Sequence, residues 1–545
     1  MLKEKNTVIW SPQSKEEHMK GKNTNVLFEE TLDRVKKTLP QDNKIDIIIG
    51  IPFYNETETL TNVIDVALKS LSSQVRYNKL IVCVGDPVGK ATLENVKNSF
   101  GDEVFGFTMP EGANGRGYSI RAILELARFF EADVVLLEAD FQTIDEQGIK
   151  PLWIDRLITP ILGKYDLAVA SFRRHPFEDI VGNVLVSPLI TALYGVKFRD
   201  PLSGVFAISS QLVEELCQEF DVSSQEPQGY GINPWLLTTT LKWEKKLCEV
   251  SLGAKMSPIS FGKKYIVLKE MLRTLFECIK RDQDHWLSNL HILKTPDVFG
   301  GEDRDLPLEV ICNEMEFIES FQEKYYHYLP YLETILKQDI LEWLGGMAEN
   351  PQEFKFSPEL WSKITYEFLR AYTFNNELSS EEILEMFMSI YDGMVAGFLS
   401  EIKELQKLLK DSQVDSNLVL SAKAVQIFED SINLFFQGKA EFVQGWEQRP
   451  DTSKSLLTPL DYLEFIPGVP IVLPKSLKGY EERIINPGII FKRLQEKYNH
   501  AFEEFMKTLG FEGVPASDKV SERLKKFMAD LEKTIDYLCP GDLFS

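Results

Sequence analysis

Val134-Val135-Leu136-Leu137-Glu138-Ala139-Asp140-Phe141-Gln142 is the stretch on which the fold turns. Four apolar residues run without alternation into Glu138-Ala139-Asp140, as in a strand buried on both faces that delivers two carboxylates to its exposed end. Taken alone, the triplet is weak evidence for a metal site, because strands often end in acidic turn residues and a plain strand end is the commoner reading. Comparable apolar runs occur at IDIIIGIPFY (45–54), LIVCVGD (80–86) and DLAVASF (166–172). Between them, TETLTNVIDVALKSL and GYSIRAILELARFFE carry apolar residues at i, i+3, i+4 and i+7. This alternation predicts an α/β class with a largely parallel sheet covered by helices on both faces, over residues 45–265.

After Tyr265 the texture changes to long amphipathic helices such as LPYLETILKQDILEWLGGMA and EEILEMFMSIYDGMVAGFLSEIKELQKLL. A second, all-helical domain is expected over 266–450, with TPDVFGGEDRDLP (295–307) as a loop within it. Residues 1–44 read as an N-terminal extension and 451–545 as a C-terminal extension, mostly helical. The apolar helices exceed what one packed layer needs, so this region is expected to cover the cleft or form a homodimer interface.

Across 545 residues the chain carries 60 basic and 83 acidic side chains, a formal charge of −23. Such a field repels polyphosphate backbones and anionic lipid, so neither nucleic acid nor an anionic membrane is an expected partner. The start of the sequence lacks the apolar core of a signal peptide, and no segment is expected to reach the ~18 apolar residues of a spanning helix. The expectation is a cytoplasmic protein with no membrane span. Six cysteines without a CxxC pair read as reduced, mostly buried small hydrophobes.

Chemistry-bearing residues fall at the strand ends. Pro52-Phe53-Tyr54-Asn55-Glu56 closes the first strand and opens a helix; Gly85-Asp86-Pro87 closes the second. Gly112-Ala113-Asn114-Gly115-Arg116-Gly117 precedes a helix, and its Arg116 is a candidate for bidentate contact with diphosphate oxygens. The dinucleotide spacing GxGxxG is absent, which removes the main support for hydride transfer.

The order P-x-x-N-E, G-D, G-R-G, E-A-D resembles that of nucleotide-sugar glycosyltransferases of the GT-A fold. SFRRHPFEDIVGNVLVSPLITALYGVKFRDPLSGVFAIS (171–209), GYGINPWLLTTTLKW (229–243) and LCEVSLGAKMS (247–257) sharpen the resemblance. It points to the retaining branch that makes glucosylglycerate, glucosyl-3-phosphoglycerate and mannosylglycerate, and most to the bacterial glucosylglycerate synthases. The resemblance implies a GT-A domain followed by an all-α domain. It implies donor binding by Pro52, Tyr54, Glu56, Asp86, Arg116, Glu138 and Ala139. Mg²⁺ or Mn²⁺, weakly bound, would be held by Asp140 and Glu138 to offset the charge of the leaving diphosphate. Asp140 and Leu202, whose carbonyl would lie near the acceptor hydroxyl, are the implied catalytic residues. Arg173, Gly182, Asn183 and Val184 are the implied acceptor residues, and a solvated basic turn is an equal reading of Arg173-Arg174-His175.

Four positions depart from the family pattern. Glu138 stands for the shorter Asp, Val205 and Asn233 stand where acids are expected, and Ser257 replaces the metal-binding His of LGxKxH. His285 in RDQDHW is a candidate replacement ligand, with a structural histidine as the other reading. The resemblance implies a hexosyltransferase: a UDP- or GDP-hexose plus a small glycerate-like hydroxy acid gives, with retention, a glucosylglycerate-type compatible solute. The alternative is a GT-A-like protein that binds nucleotide sugars without turnover.

Overall fold

The computed structural model describes residues 24–39, 44–71, 76–222, 229–257, 264–288, 293–301, 312–350, 354–409 and 416–446. The expected extension at 451–545 and Cys539 lie outside the described residues, as do residues 1–23. The strands are β1 (Ile47–Phe53), β2 (Lys79–Gly85), β3 (Phe105–Thr108), β4 (Asp133–Leu136), the small hairpin β5 (Thr143–Ile144) and β6 (Gln147–Gly148), β7 (Leu167–Arg173), β8 (Phe206–Ile208), β9 (Leu247–Ala254) and β10 (Asp297–Phe299). Eight of them form one sheet in the order β10-β9-β7-β8-β4-β1-β2-β3. β1 runs parallel to β2 and β4, and β8 antiparallel to β4 and β7.

The helices are α1 (Thr24–Thr38), α2 (Thr57–Ser70), α3 (Lys90–Phe100), α4 (Arg116–Phe130), α5 (Pro151–Gly163), α6 (Ser187–Tyr194), α7 (Ser210–Val222), α8 (Ile232–Lys242), α9 (Lys264–Arg281), α10 (Gln283–Ser288), α11 (Glu314–Leu332), α12 (Gln338–Glu349), α13 (Pro358–Phe374), α14 (Ser380–Leu409) and α15 (Ser416–Gln444). They follow a sequence-discontinuous division into two compact units. The sheet unit holds Met1–Phe172, Asp200–Cys278 and Pro296–Leu306; the helical unit holds Arg173–Arg199, Ile279–Thr295 and Pro307–Ser545.

Within the sheet unit, the alternation along β1 assigns its two faces. Ile47, Ile49, Ile51 and Phe53 pack with Leu60, Val63 and Ile64 of α2 and with Trp153, Ile154 and Leu157 of α5. Gly50 faces the other way, against Ile123 of α4. Helices thus cover both faces, as expected for the α/β class, and every residue of β1 is buried. Helix α1 adds a further layer, with Phe28 against Tyr118 at 5.8 Å and under the Arg121 guanidinium at 4.7 Å.

The strands that differ from expectation are short. β3, β8 and β10 span three or four residues, too few to display a period, and β10 lies in the stretch read as a loop, 295–307. β4 ends at Leu136, so Glu138 and Asp140 lie beyond the strand, although Leu137 still donates its N–H to the Gly50 carbonyl at 3.0 Å.

In the helical unit, α13, α14 and α15 carry aromatic layers: Trp361 stacks on Phe387 at 5.2 Å, and Tyr366 on Phe442 at 4.3 Å. Ser379 and Glu382 cap α14 reciprocally, Ser379 N–H donating to the Glu382 carboxylate at 2.8 Å and Glu382 N–H to Ser379 Oγ at 3.3 Å. The expectation of no segment apolar enough for a span is corrected here. Ser380–Lys407 passes that test by length and composition, with a mean hydropathy of 1.3. Its window is 83% buried, which is the environment of a core helix. Five of the cysteines are free thiols; Cys83, Cys217, Cys248 and Cys278 are buried and Cys312 is half-buried.

Gly50 marks the closest approach of α4 to the sheet: a Cβ there would lie 2.4 Å from Ile123 Cγ2. Gly50→Ala is expected to destabilise by about 1–3 kcal/mol through overpacking, and Gly50→Ala/Ile123→Ala by less than the sum of the two single changes. Denaturation midpoints of the three variants check this; strict additivity contradicts it.

Candidate functional site

The strand order places a switch point between β1 and β4. From β1 the chain builds outward through β2 and β3 on one side, and then returns to lay β4 on the other. Such points open a crevice at the carboxyl ends of the strands. Here the opening has a local cause. Pairing of β1 with β4 ends at Gly50, whereas pairing with β2 continues to Phe53. Gly50 directs its carbonyl to the β4 side and Phe53 to the β2 side, where it accepts from Asp86 N at 2.9 Å. By the same alternation Pro52, which has no N–H, faces the side where the ladder has already ended. The buried Pro52 therefore costs no hydrogen bond where the strands part.

Beyond this parting, Glu56 folds back as a turn. One carboxylate oxygen accepts from Tyr54 N at 2.7 Å and Asn55 N at 3.0 Å, at the start of α2. Asp86 is buried and accepts from Val88 N at 3.2 Å and Gly115 N at 2.8 Å. That second bond holds the glycine loop. Gly115 has φ 101°, a left-handed conformation favouring glycine, and it starts α4 with Arg116 in the first turn.

Arg116 is pinned in turn. It donates to Glu138 Oε1 at 3.1 Å and to the Gly204 carbonyl at 2.8 Å, while its shielded Nε has no partner among the described residues. Gly204, with φ 75°, closes the Pro201-Leu202-Ser203 turn against the pair: a Cβ there would lie 2.1 Å from Glu138 Oε1. Leu202 is half-buried in this turn, and Ala139 packs into the core beneath.

Glu138 meets a second cation. Lys255, just past β9, places Nζ 2.5 Å from Glu138 Oε2 and over the rings of Phe141 and Phe172 at 5.6 and 6.0 Å. Both oxygens of Glu138 are thus held by positive groups, each partly shielded from water. Asp140 Oδ1 is shielded and without a partner among the described residues. Burial, and secondarily the Glu138 charge, push the Asp140 carboxyl up to about 6 against the pull of Lys255 and Arg116. Burial also raises the Tyr230 phenol, which feels the charges of Arg116, Glu56 and Asp86.

The expected donor residues, Pro52, Tyr54, Glu56, Asp86, Arg116, Glu138 and Ala139, therefore lie in the sheet unit with Asp140, and Leu202 lies in the turn against Glu138. Lys255 and Tyr230 belong to the same surroundings and were not singled out by sequence reasoning. Lys255 sits in the LGAKMS string, where the substituted position Ser257 drew the comparison. The expected acceptor residues belong to the helical unit. Gly182–Val186 is one π-helical turn, with Gly182 N–H donating to the Asp179 carboxylate at 3.2 Å and the Val184 carbonyl accepting from Trp361 Nε1 at 2.8 Å. Arg174 pairs with Glu178 at 2.9 Å, and His285 packs on Tyr194 at 5.9 Å.

The side chains present are a poor set for the expected divalent ion. Mg²⁺ or Mn²⁺ would be held by one or two carboxylates, with water and phosphate oxygens completing the shell. Glu138 spends both oxygens on Arg116 and Lys255, leaving the carboxylate of Asp140, whose Oδ1 is shielded from water. No group of three or more His, Cys, Asp or Glu side chains suited to a metal occurs among the described residues.

No family model and no curated protein matches the chain. Among solved structures, it is similar to glucosyl-3-phosphoglycerate synthase from Mycobacterium tuberculosis in complex with Mn²⁺, UDP and phosphoglyceric acid. That likeness has 20% identity, covers 45% of this chain and 82% of that one, and has a TM-score of 0.33. Mannosyl-3-phosphoglycerate synthase from Rubrobacter xylanophilus matches at 17% identity, 46% and 78% coverage and TM-score 0.34. A mannosyltransferase from Pyrobaculum calidifontis with GDP-Man and Mn²⁺ matches at 11%, 77% and 93%, and 0.26.

A carboxyl group whose folded pKa is raised stabilises the fold below its ordinary value of 3.8, and this contribution is lost as pH rises through about 6. Asp140→Asn removes the ionisation. Relative to the native chain, it is expected to stabilise by on the order of 2 kcal/mol at about pH 8 and negligibly at about pH 4. Thermal unfolding at both pH values checks this; an equal shift at both contradicts it.

Proposed function

We propose that this chain is a glycosyltransferase that moves a hexose from a UDP- or GDP-sugar to a small glycerate-like hydroxy acid with retention, making a glucosylglycerate-type compatible solute. The observation that carries the reading is the pair of cations, Arg116 and Lys255, gathered with Glu138 and Asp140 at the switch-point crevice. A nucleoside diphosphate becomes a competent leaving group only when its developing charge is met by fixed positive groups. Arg116 brings a planar set of donors, and Lys255 a compact point charge.

Each remaining residue has a part in this proposal. Asp86 orients Arg116 through Gly115, Glu56 shapes the turn after β1, and Leu202 offers a backbone carbonyl to the acceptor hydroxyl. Retaining transfer of this kind depends chiefly on positioning and leaving-group stabilisation, without an obligatory side-chain base. The neutral residues Val205 and Asn233 are compatible with it. For Arg173, Gly182, Asn183 and Val184 the acceptor role rests on the sequence resemblance alone.

A second reading, binding without turnover, is favoured by one observation: Glu56, Asp86 and Glu138 all direct carboxylate oxygens to partners within the protein.

Incubating the full chain with UDP-glucose, GDP-glucose or GDP-mannose, with and without D-glycerate or 3-phosphoglycerate, separates the two. Transfer predicts acceptor-dependent release of UDP or GDP and an α-anomeric proton signal in the product. Arg116→Ala is expected to lower kcat/KM by on the order of 10²-fold. Binding of a nucleotide sugar with no release under any acceptor supports the second reading, and no binding at all removes both.

A further inference from the structure

Glu138 is the pivot of the crevice. Its two oxygens face two different cations on two different segments: Arg116 at the start of α4 and Lys255 at the end of β9. We propose that Arg116 and Lys255, clamped by Glu138, stand in for a divalent cation, so that nucleoside diphosphates bind this chain without Mg²⁺ or Mn²⁺. The inference rests on the nucleotide-sugar reading above and names how that site meets its ligand's charge.

Three features support it. First, Lys255 is not a stray surface lysine. Its side chain is 9% exposed and its ammonium lies over two aromatic faces, a position that requires an anionic partner. Second, the clamp needs a glutamate. The side chain of Glu138 reaches both cations, and the Gly204 backbone is pressed onto the same carboxylate, so the longer arm fills the space between them. An aspartate would draw back by about one methylene and leave at least one contact long. A metal at Glu138 would have to compete with a cation at either oxygen of a carboxylate that is 13% exposed.

Third, donors remain for a ligand. A lysine ammonium has three, of which Glu138 takes one, and a guanidinium has five, of which Glu138 and the Gly204 carbonyl take one each from Arg116. Arg116 and Lys255 offset the charges of Glu138 and Asp140 and are held in place before any ligand arrives. Such groups need little reorganisation to meet phosphate oxygens.

Glu138→Asp separates this proposal from the metal reading, because the two assign opposite signs to it. If the residue is a metal ligand, the shorter arm preserves or improves metal-dependent binding. If it is a clamp, the change loosens both cations and weakens nucleotide binding.

Calorimetric titration of UDP and of GDP into the full chain tests the proposal, first with EDTA and then with excess Mg²⁺ or Mn²⁺. The expected result is a dissociation constant that changes less than about threefold between these buffers. Lys255→Met should weaken it at least tenfold, or about 1.4 kcal/mol, and Lys255→Arg should restore most of it. Glu138→Asp should weaken it as well. Binding lost in EDTA and recovered with Mn²⁺ overturns the proposal, as does tighter binding by Glu138→Asp. If Lys255→Met does not fold, the comparison on the native chain and Glu138→Asp still decide. Absence of UDP and GDP binding in every buffer overturns the nucleotide-sugar reading together with this one.

Discussion

The parting of β1 and β4 after Gly50 is the constraint on which the site depends. A sheet that stayed zipped to the end of β1 would bury Pro52 against a neighbour whose carbonyl it could not satisfy. Because pairing with β4 stops first, the backbone after Leu137 is no longer laddered to β1, and Glu138 and Asp140 follow at the carboxyl end of β4. β2 stays attached for three more residues and sets Asp86 beside the same opening. The Asp86–Gly115 hydrogen bond then ties in a third strand end by fixing the first turn of α4, and with it Arg116. The crevice is therefore assembled by strand pairing and by the buried Asp86 carboxylate, apart from the charges of Glu138 and its cations.

Electrostatics fills the opening the strands leave. The chain as a whole is strongly negative at −23, so cations near an anionic ligand have to act at short range. Arg116 and Lys255 are both shielded enough for their charge to act in this way with little screening. Burying them without Glu138 would cost several kcal/mol each. Glu138 is thus first a requirement of the fold, and the orientation it imposes on the cations follows from that.

Much of this was legible in the sequence, and the exceptions are instructive. β1, β2, β4 and β7 announced themselves because burial on both faces forces continuous apolar runs, and α4 did because one buried stripe repeats every three to four residues. β3, β8 and β10 are too short to repeat anything; they are strands because neighbours offer an edge, which is a property of the whole sheet. At the site, residue types at strand ends identified Arg116, Glu138 and Asp140. What they touch could not be read. Lys255 is 117 positions from Glu138, and no local pattern links them. Nor does spacing reveal that Asp86 spends its carboxylate on a loop 29 residues away.

The positions that depart from the resembled family share a direction once these contacts are known. Val205 is core: it is fully buried, packs with the Phe141 and Trp153 cluster, and its carbonyl accepts from Ala170 N at 3.0 Å. A carboxylate there would need a cation of its own. Asn233 keeps a polar oxygen, shielded and unpartnered among the described residues, without the charge. Ser257 offers a hydroxyl in place of an imidazole. Each change lowers the negative charge or metal-binding capacity of the sheet unit, while Arg116 and Lys255 remain. A divalent cation is most useful where several carboxylates and a diphosphate must share one space. On the proposal above, with no carboxylate at positions 205 and 233 and Glu138 given to resident cations, a diphosphate would be met by side chains already in the fold.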